Sequence, residues 1–387
     1  MNKITNVLAL GVFGVITTEF GIIGILPKIS AHYLVSIEDT GVLVSLFAIA
    51  VAIAGPVLTI SMARFNKKKV ILSSILLFII SNILSACSPS FGWLVIARVL
   101  PAFLLPVYFS NGLVIAANSV QKKNSMKAIA TVYTGLSIAT ILGIPMTTYI
   151  ADRFHWKTSF WVIALINTIA FISIYYFIPD TQGNQPSSYK AQLGILRKKP
   201  LWLTALTVCL IAAGAFSVYS YFADYLHNVF VMDGSQISIM LLIFGIAGVV
   251  GNWFAGITLS KNIYATILMH SIAMGSTFLL LQQANSSVLF QSFIIGFWGF
   301  FHMAGFVISQ AWISISAPEA PEFANSLVVS VSNLGIAMGA SLGGFIIATF
   351  GIEYVLWGGI LSFSLSSVLV IVTIKLYAKR SFQGIPF

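Results

Sequence analysis

The chain has 387 residues, of which 58% are hydrophobic and only 8% are charged, and its formal net charge is +10. Soluble domains carry about a quarter charged residues, so a chain of this length cannot cover a water-exposed surface with polar side chains. This composition excludes a cytosolic enzyme, a secreted domain and a disordered protein, and it predicts an integral membrane protein. Cys87 and Cys209 both lie in apolar stretches, where we expect small core side chains and neither a disulfide nor a metal site.

Long uninterrupted apolar runs predict membrane-spanning helices, because each run reaches the length of about 20 residues that a helix needs to cross the bilayer. A closed β-barrel would show short alternating segments instead. We therefore expect an all-α membrane protein with about twelve transmembrane helices. The expected spans are 5–29, 39–62, 70–88, 92–118, 127–150, 158–178, 201–226, 235–259, 264–283, 286–314, 324–349 and 353–376. The first span carries Glu19 in its interior and lacks a small-residue cleavage site, so we expect a retained helix and not a signal peptide.

The basic residues predict how these spans are oriented. With a cytoplasmic N-terminus, most of them fall on the cytoplasmic side, namely Lys3, Arg64, Lys67, Lys68, Lys69, Lys122, Lys123, Lys127, Lys190, Arg197, Lys198, Lys199, Lys261, Lys375, Lys379 and Arg380. The opposite side receives only Lys28, Arg153 and Lys157. This asymmetry predicts that both termini are cytoplasmic. The excess positive charge is therefore interpreted as loop charge that orients the chain in a lipid bilayer, and no nucleic-acid partner is expected.

The longest polar connection, residues 179–200, divides the chain into two parts with six expected spans each. Such a joint is typical of transporters built from two parallel repeats, although an ordinary long loop would have the same composition. We therefore expect an N-terminal six-helix half at 1–180, a cytoplasmic linker at 181–200 and a C-terminal six-helix half at 201–387.

Two ionisable residues lie inside spans, where the bilayer makes charge costly, and both are functional candidates. Glu19 in the first span and Arg98 in the fourth are roughly 15 Å and 9 Å from the same side of the membrane, from the helical rise. An extended arginine bridges that difference, and pairing with it would compete with desolvation for control of the carboxyl charge. We interpret Glu19 as a proton-coupling carboxylate with Arg98 as its partner. The alternatives are a static ion pair, or an Arg98 side chain that reaches the outer interface.

Three further ionisable residues lie within spans. Asp224 is near the outer end of the seventh span beside Tyr221, where an interfacial aromatic belt is the favoured interpretation and a cavity-lining Tyr221 is the alternative. His302 lies deep in the tenth span, where it would line the substrate path and titrate near neutral pH, or be a hydrogen-bonded core residue. His270 stands alone in an apolar span, and no role is assigned to it.

Three stretches carry a recognisable pattern: Thr18-Glu19-Phe20 through Gly24-Ile25-Leu26-Pro27; Gly135 through Ala139, Gly143 and Pro145, followed by Trp156 and Phe160; and Ala317-Pro318-Glu319-Ala320-Pro321-Glu322 through Ala324-Asn325-Ser326 to Asn333, Gly335, Gly339, Gly343 and Gly344. With twelve spans in two halves, a basic loop after the second span and Arg98 early in the fourth, the chain resembles the major facilitator superfamily. Within it, the chain resembles the bacterial drug:proton antiporter and sugar-efflux permease branch. The resemblance covers nearly the whole chain, and the third stretch is the most specific.

The resemblance implies a conformational role for Gly135, Gly143 and Pro145, which would hinge and seal the outer half of the fifth span. The alternative is that these glycines only allow close helix contact. Pro145 is also expected to kink the span, because it has no backbone N–H. The loop after the second span departs from the family's Gly-x-x-x-Asp-Arg-x-Gly-Arg-Lys pattern, because the acidic residue and both glycines are missing. We therefore expect Arg64 to act through carbonyl groups at a helix end.

Together these features predict proton-coupled efflux of drug-like compounds or small neutral metabolites by alternating access, with protons arriving on Glu19 from outside. The alternative on the same fold is a proton-coupled importer of sugars or nucleosides. Candidate substrate contacts are Thr18, Tyr108, Asn111, Tyr221, His302 and Asn333.

Other function classes are disfavoured by what the sequence lacks. A membrane enzyme or receptor would need an interfacial polar cluster or a sizeable soluble domain, and ATP-driven transport would need a phosphate-binding loop. A channel is disfavoured because the intramembrane charges are isolated and do not form rings. We expect a monomer in the bacterial inner membrane, with no cofactor or metal, and with protons and a small-molecule substrate as its partners.

Overall fold

The computed structural model describes residues 3–62, 64–121, 124–181, 197–284, 287–317 and 321–378, and all regular structure in these ranges is helical. Twelve segments there are long and apolar enough to cross a membrane: Lys3–Phe20, Ile37–Gly55, Lys67–Ala86, Phe91–Asn118, Ala128–Arg153, Trp156–Phe177, Lys199–Asn228, Gly234–Lys261, Ile263–Gln282, Val288–Ser314, Leu327–Phe350 and Ile352–Leu376. The prediction of an all-α protein with twelve membrane spans is therefore confirmed. Most of the linker predicted at 181–200, and the third motif from residue 318 to the side chain of residue 326, lie outside the described residues.

The described α-helices are numbered here in chain order. They are α1 (Lys3–Phe20), α2 (Leu26–Tyr33), α3 (Ile37–Thr40), α4 (Val42–Met62), α5 (Lys67–Ala86), α6 (Phe91–Ala102), α7 (Leu105–Asn118), α8 (Ser125–Ile138), α9 (Ile144–Arg153), α10 (Trp156–Phe177), α11 (Lys199–Tyr219), α12 (Phe222–Asn228), α13 (Gly234–Lys261), α14 (Ile263–Gln282), α15 (Val288–Ser314), α16 (Pro321–Phe350) and α17 (Leu356–Thr373). Single 3₁₀ turns lie at Ile23–Ile25 and Ile352–Tyr354, and π-helical turns lie at Ala139–Gly143 and Ile374–Ala378.

The first span is interrupted, so the continuous helix expected over 5–29 is wrong. α1 ends at Phe20, a turn follows, and α2 begins only at Leu26. Pro27 lies in the first turn of α2, and because it has no backbone N–H it cannot bond the carbonyl four residues before it. The break leaves the last carbonyl groups of α1 in need of partners from outside the helix.

The fourth, fifth and seventh spans are irregular as well. A turn separates α6 from α7 directly before Pro106, and a turn at Ser220 and Tyr221 separates α11 from α12. The fifth span stays helical but widens into a π-helical turn immediately before Pro145. Pro145 was expected to kink the span, and the structure shows a local widening of the helix before it. The widening is explained by the missing N–H of the proline, which removes one i→i−4 hydrogen bond.

The chain separates into two compact units, of which the first is Met1–Ser187 with Tyr221–Leu242 and the second is Ser188–Ser220 with Ile243–Phe387. Each unit has its own apolar core among the described residues, around Phe47 and Phe78 in the first and around Trp312 in the second. Along the seventh span, the boundary between the units falls at the turn between α11 and α12. The half boundaries expected from the sequence stay a prediction.

Matching glycine contacts in the two units support an internal repeat. A Cβ atom on Gly135 would overlap the backbone carbonyl of Ala9, and a Cβ atom on Gly335 would overlap the carbonyl of Cys209. Gly335 and Cys209 stand 200 positions after Gly135 and Ala9. In both units these glycines therefore bring two helices into backbone contact, as small residues do in membrane proteins. A hinge role for the glycines of the fifth span stays a prediction.

The loops after the second and the eighth spans each lead into a helix that begins with the same cap. The side-chain oxygen of Asn66 accepts a hydrogen bond from the backbone N–H of Lys69 at the start of α5, over 3.1 Å. The side-chain oxygen of Asn262 accepts one from Ala265 at the start of α14, over 3.0 Å. Asparagine is among the preferred residues at this position because it satisfies an N–H that the helix cannot.

The two cysteines lie in different environments. Cys209 is buried in α11, as expected, and contacts Met338 with 3.7 Å between the sulfur atoms. Cys87 is exposed, which corrects the expectation of two core side chains. The reason is its position, because Cys87 is the residue at which α5 ends and the chain turns toward α6.

Candidate functional site

The end of α1 is held by an arginine from the fourth span. The Arg98 guanidinium donates hydrogen bonds from Nη1 to the backbone carbonyl of Thr18 and from Nη2 to the backbone carbonyl of Glu19, the latter over 3.0 Å. These carbonyls are among those that the break after Phe20 leaves without helical partners. A cation at this place also faces the negative end of the helix dipole, so both the hydrogen bonds to the carbonyls and the interaction with the dipole favour its position.

Arg98 is buried to 1% exposure, and its charge is also close to an aromatic ring. The centre of the guanidinium lies 5.2 Å from the ring centroid of Phe47 on α4, within the range of a cation–π contact. Among the described residues, no ion pair within 4.0 Å joins Arg98 to the carboxylate of Glu19. The side-chain pair expected from the sequence is therefore absent here, because both terminal nitrogens of the arginine are used by backbone carbonyls.

Glu19 is the only acidic residue in α1 and lies one residue before the helix ends, and 9% of its surface is exposed. Its carboxyl accepts no hydrogen bond from any residue in the described part of the chain, whereas its own backbone carbonyl is bonded to Arg98. Burial favours the neutral acid, and the neighbouring guanidinium favours the carboxylate. The arrangement leaves the carboxyl oxygens open to a proton or a ligand.

A polar cluster that the sequence interpretation missed surrounds Thr18. Its hydroxyl donates to the carbonyl of Gly14 over 2.8 Å and accepts from the side-chain amides of Asn82 and Asn167 over 3.0 and 3.2 Å. These donors come from α5 and α10, so three spans meet at one hydroxyl. Thr18 was expected to contact substrate, but its hydrogen-bonding capacity is filled within the first unit. Two asparagines inside apolar spans were the signal that could have revealed the cluster.

The fifth span also contacts the break. The Thr147 hydroxyl, on α9, lies 3.0 Å from the carbonyl of Gly21 and 2.7 Å from that of Ile144. One turn earlier, a Cβ atom on Gly143 would overlap the Thr17 hydroxyl. The π-helical turn and Thr147 therefore fit against the end of α1, and the Thr147 hydroxyl supplies a partner for the broken helix.

Three other predicted substrate contacts form hydrogen bonds within their own unit. The Tyr108 hydroxyl donates to the backbone carbonyl of Leu8 over 3.0 Å and lies against Gly11, where any side chain would collide with it. The Asn111 and Asn333 amides each donate to the carbonyl four residues earlier, over 2.9 and 3.0 Å. All three are buried. Their roles toward a substrate stay predictions.

Tyr221 and Asp224 lie in the first unit, at the start of α12. The Tyr221 hydroxyl lies against Gly41, at the point where α3 meets α4, and a Cβ atom there would overlap it. The Asp224 carboxylate accepts a hydrogen bond from the Asn228 side chain over 2.8 Å. Both residues are buried among described residues, so the pair does not form an exposed aromatic belt in this structure.

The two buried histidines of the second unit differ in their partners. His270 Nε2 lies 2.9 Å from the backbone carbonyl of Phe301, which fixes a proton on that nitrogen. His302 is 3% exposed, and neither of its ring nitrogens has a hydrogen-bond partner among the described residues. The alternative of a hydrogen-bonded core histidine is therefore wrong for His302.

Arg64 lies in the turn between α4 and α5. Its guanidinium is 5.1 Å from the ring centroid of Phe65 and donates to no carbonyl in the described residues. The expected contact with helix-end carbonyls is therefore not formed in the described part of the chain, where the guanidinium lies over the ring of Phe65 instead.

Outside the membrane-spanning segments, His155 caps the start of α10. Its Nδ1 accepts a hydrogen bond from the backbone N–H of Lys157 over 3.2 Å, and its ring lies 5.5 Å from that of His32 between centroids. Partial burial lowers the pKa of His155, and the nearby His32 and Lys157 charges lower it further. The cap needs a deprotonated Nδ1, so it favours the neutral ring as well.

Comparisons with known proteins agree on one family. A model described as the Major Facilitator Superfamily matches residues 8–322. The inner membrane transport protein YdhP of Escherichia coli is 29% identical over 353 residues, covering 90% of this chain and 89% of that protein. The MFS-type transporter YtbD of Bacillus subtilis is 30% identical over 359 residues, covering 91% and 90%. A Pasteurella multocida protein named a probable sugar efflux transporter is 28% identical over 355 residues, covering 91% and 87%.

Solved structures of transporters share the fold. The nucleoside transporter NupG matches with a TM-score of 0.77 at 12% identity, covering 97% of this chain and 99% of that chain. A bacterial homologue of the human lysosomal transporter Spinster, inward-facing and occupied, matches with a TM-score of 0.72 at 14% identity, covering 98% and 96%. At these identities the likeness concerns the fold alone.

Proposed function

The chain belongs to the major facilitator superfamily, and from this premise we propose that it exports small organic molecules in exchange for protons by alternating access. Twelve membrane spans and transporter relatives support a multi-pass inner membrane protein that moves solutes. The observation that carries the proposal of proton coupling is the Glu19 carboxyl, which lies inside the first span without a hydrogen-bond partner among the described residues.

Arg98 supports this role in a way that does not require an ion pair. Because backbone carbonyls hold the guanidinium, its charge stays beside Glu19 whether the carboxyl is protonated or not. Burial and the fixed positive charge act in opposite directions on the proton affinity of the carboxyl. A small change in water access would therefore move the proton on or off, and this is what a coupling group must do as a transporter opens to one side and then the other.

The exported molecule is proposed to be a drug-like compound or a small neutral metabolite. A relative named a probable sugar efflux transporter supports efflux of an uncharged solute. A carboxylate and a buried arginine on the first and fourth spans would also suit an amphipathic cation, so both classes belong in the test.

The test uses purified protein in liposomes with an imposed pH gradient and a pH-sensitive dye in the lumen. Addition of a transported compound should dissipate the gradient in vesicles with the native protein. Glu19→Gln should abolish this compound-dependent proton flux, because the amide cannot carry a proton. Glu38→Gln is the matched control, since Glu38 lies in the short helix α3 at the very start of the second span and should leave the flux unchanged.

Two outcomes would overturn the proposal. Proton-coupled export that persists in Glu19→Gln would remove the coupling role of this carboxyl. Solute movement in the same direction as the protons would make the protein a proton-coupled importer.

A further inference from the structure

Five aromatic rings surround His302 in the second unit. The ring centroids lie 4.6–6.4 Å from the imidazole, and the rings belong to Phe216, Tyr219, Phe244, Trp298 and Phe306 on α11, α13 and α15. We call these residues the aromatic cage. Glycines bring the helices this close, because a Cβ atom on Gly299 would overlap the backbone carbonyl of Phe244.

The imidazole at the centre of the cage has unused hydrogen-bonding capacity. A neutral histidine has one donor and one acceptor nitrogen, and in His302 both are buried without a partner in the part of the chain that the structure describes. The hydroxyl of Ser220, directly after Tyr219, is also buried and has no partner there. A buried polar group without a partner is destabilising, so such groups in a native structure call for an explanation.

The cage stands at the place in the repeat that corresponds to the Glu19 site. Tyr219 and Trp298 are 200 positions after Glu19 and Arg98, the same spacing that relates the two glycine contacts. Tyr219 is the last residue of α11 before its break, as Glu19 lies at the end of α1 before its own. The first unit thus carries charged groups at its broken helix, and the second unit carries aromatic rings and an imidazole.

Charge indicates which ligand would suit the cage. The second unit contains three acidic residues: Glu353 lies in the 3₁₀ turn before α17, and Glu319 and Glu322 lie outside the described side chains. No carboxylate in the described spans of this unit would therefore compensate a cationic ligand. Aromatic rings with a few hydrogen-bonding groups are typical of sites for uncharged organic rings.

We propose that the aromatic cage binds one uncharged, hydroxyl-bearing ring of the transported molecule, such as a sugar, and that His302 exchanges hydrogen bonds with its hydroxyl groups. All five ring centroids lie within 6.4 Å of the imidazole, so binding a ring of the ligand there requires one of these side chains to move aside. The inference rests on the proposed transport of a small organic molecule and names its chemical class.

The experiment measures ligand binding without any gradient, on protein in nanodiscs so that no sugar-headed detergent competes. The probes are neutral hexoses, pentoses, their methyl glycosides and ribonucleosides, with tetraphenylphosphonium as the cationic comparison. Binding is followed by the ligand-induced rise in melting temperature and by tryptophan fluorescence. At least one neutral probe should bind the native protein, and His302→Phe should weaken it about tenfold or more, the effect of losing a buried hydrogen bond. His302→Gln should restore part of the affinity.

His270→Phe provides the matched control for folding. His270 is equally buried but already bonded to a carbonyl, so its replacement should lower the melting temperature and leave the affinity of the folded protein unchanged. The unliganded His302→Phe protein should melt at or above the native temperature, because it removes an unpartnered polar group.

Three results would overturn the proposal: no neutral probe binds, His302→Phe binds as tightly as the native protein, or its melting temperature falls as far as that of His270→Phe. The test separates this inference from proton coupling. A coupled transporter whose flux responds only to cations would keep the proposed antiport and remove the sugar class, whereas a protein that binds the neutral probe without any proton flux would keep the cage and remove the antiport.

Discussion

Replacing Arg98 with lysine tests whether the guanidinium holds the end of α1 through backbone carbonyls. The native side chain makes two hydrogen bonds from two nitrogens, to the carbonyls of Thr18 and Glu19. A lysine ammonium has no planar fork and keeps at most one of these bonds. A hydrogen bond involving a charged group contributes about 1.5–3 kcal/mol, so we expect Arg98→Lys to lower the free energy of unfolding by about that amount.

For a chain of this length, the same loss corresponds to a fall in melting temperature of roughly 2–4 °C, from the usual entropy of unfolding per residue. The assay is thermal unfolding of the purified protein at fixed lipid and detergent, with three variants compared side by side. Glu19→Gln should not lower the melting temperature, because its carboxyl accepts no hydrogen bond in the described structure. Lys28→Met, which removes a half-exposed ion pair with Asp152 at 3.0 Å, should cost no more than about 1 kcal/mol.

The reasoning would be refuted by either of two results. If Arg98→Lys melts with the native protein, the two carbonyl bonds do not stabilise the broken helix. If Glu19→Gln is destabilised as much as Arg98→Lys, the carboxylate and not the backbone is what holds the guanidinium.

Two other predictions follow from packing and from capping. Gly135→Ala should lower the free energy of unfolding by about 1–3 kcal/mol, because the added Cβ atom overpacks the contact with Ala9. Gly256→Ala, with open space around it, should leave the free energy of unfolding unchanged or raise it by up to about 1 kcal/mol. Equal effects of the two substitutions in thermal unfolding would contradict the close contact at Gly135. The lowered pKa of His155, caused by burial and then by His32 and Lys157, means that the unfolded chain takes up the proton first. The stabilising cap should therefore be complete above about pH 6.5 and lost as the pH falls below it, and His155→Asn, which caps without titrating, should remove that part of the pH dependence in melting curves.

The sequence was sufficient to predict the membrane spans, because the hydrophobicity that identifies a span is summed over many residues. Each span is predicted from some twenty apolar residues taken together, so a misjudged single residue changes where the span ends and not how many spans there are. Glu19 and Arg98 could also be singled out as candidates from the sequence, since charge inside a bilayer is costly wherever it lies. How the two side chains lie relative to each other could not be predicted from the sequence. The partners of Arg98 are backbone carbonyls, which every residue has, and they become available only because the helix breaks after Phe20.

The same reasoning explains the other differences. Asn82 and Asn167 were visible as polar residues in apolar runs, but only the fold shows that both meet the hydroxyl of Thr18. His302 and His270 are indistinguishable as isolated histidines in apolar spans. Whether each finds a partner depends on which carbonyl lies opposite, and no local pattern encodes that.

The exposure of Cys87 has a practical consequence for determining orientation. A thiol at the protein surface reacts with maleimides far more readily than a buried one, so Cys87 is a labelling site that needs no mutagenesis while Cys209 stays protected. The charge distribution predicts that the end of the third span lies on the outer face of the membrane. A membrane-impermeant maleimide added to intact cells should then modify the native chain, and a Cys87→Ser chain should stay unlabelled; protection until the cells are opened would invert the topology.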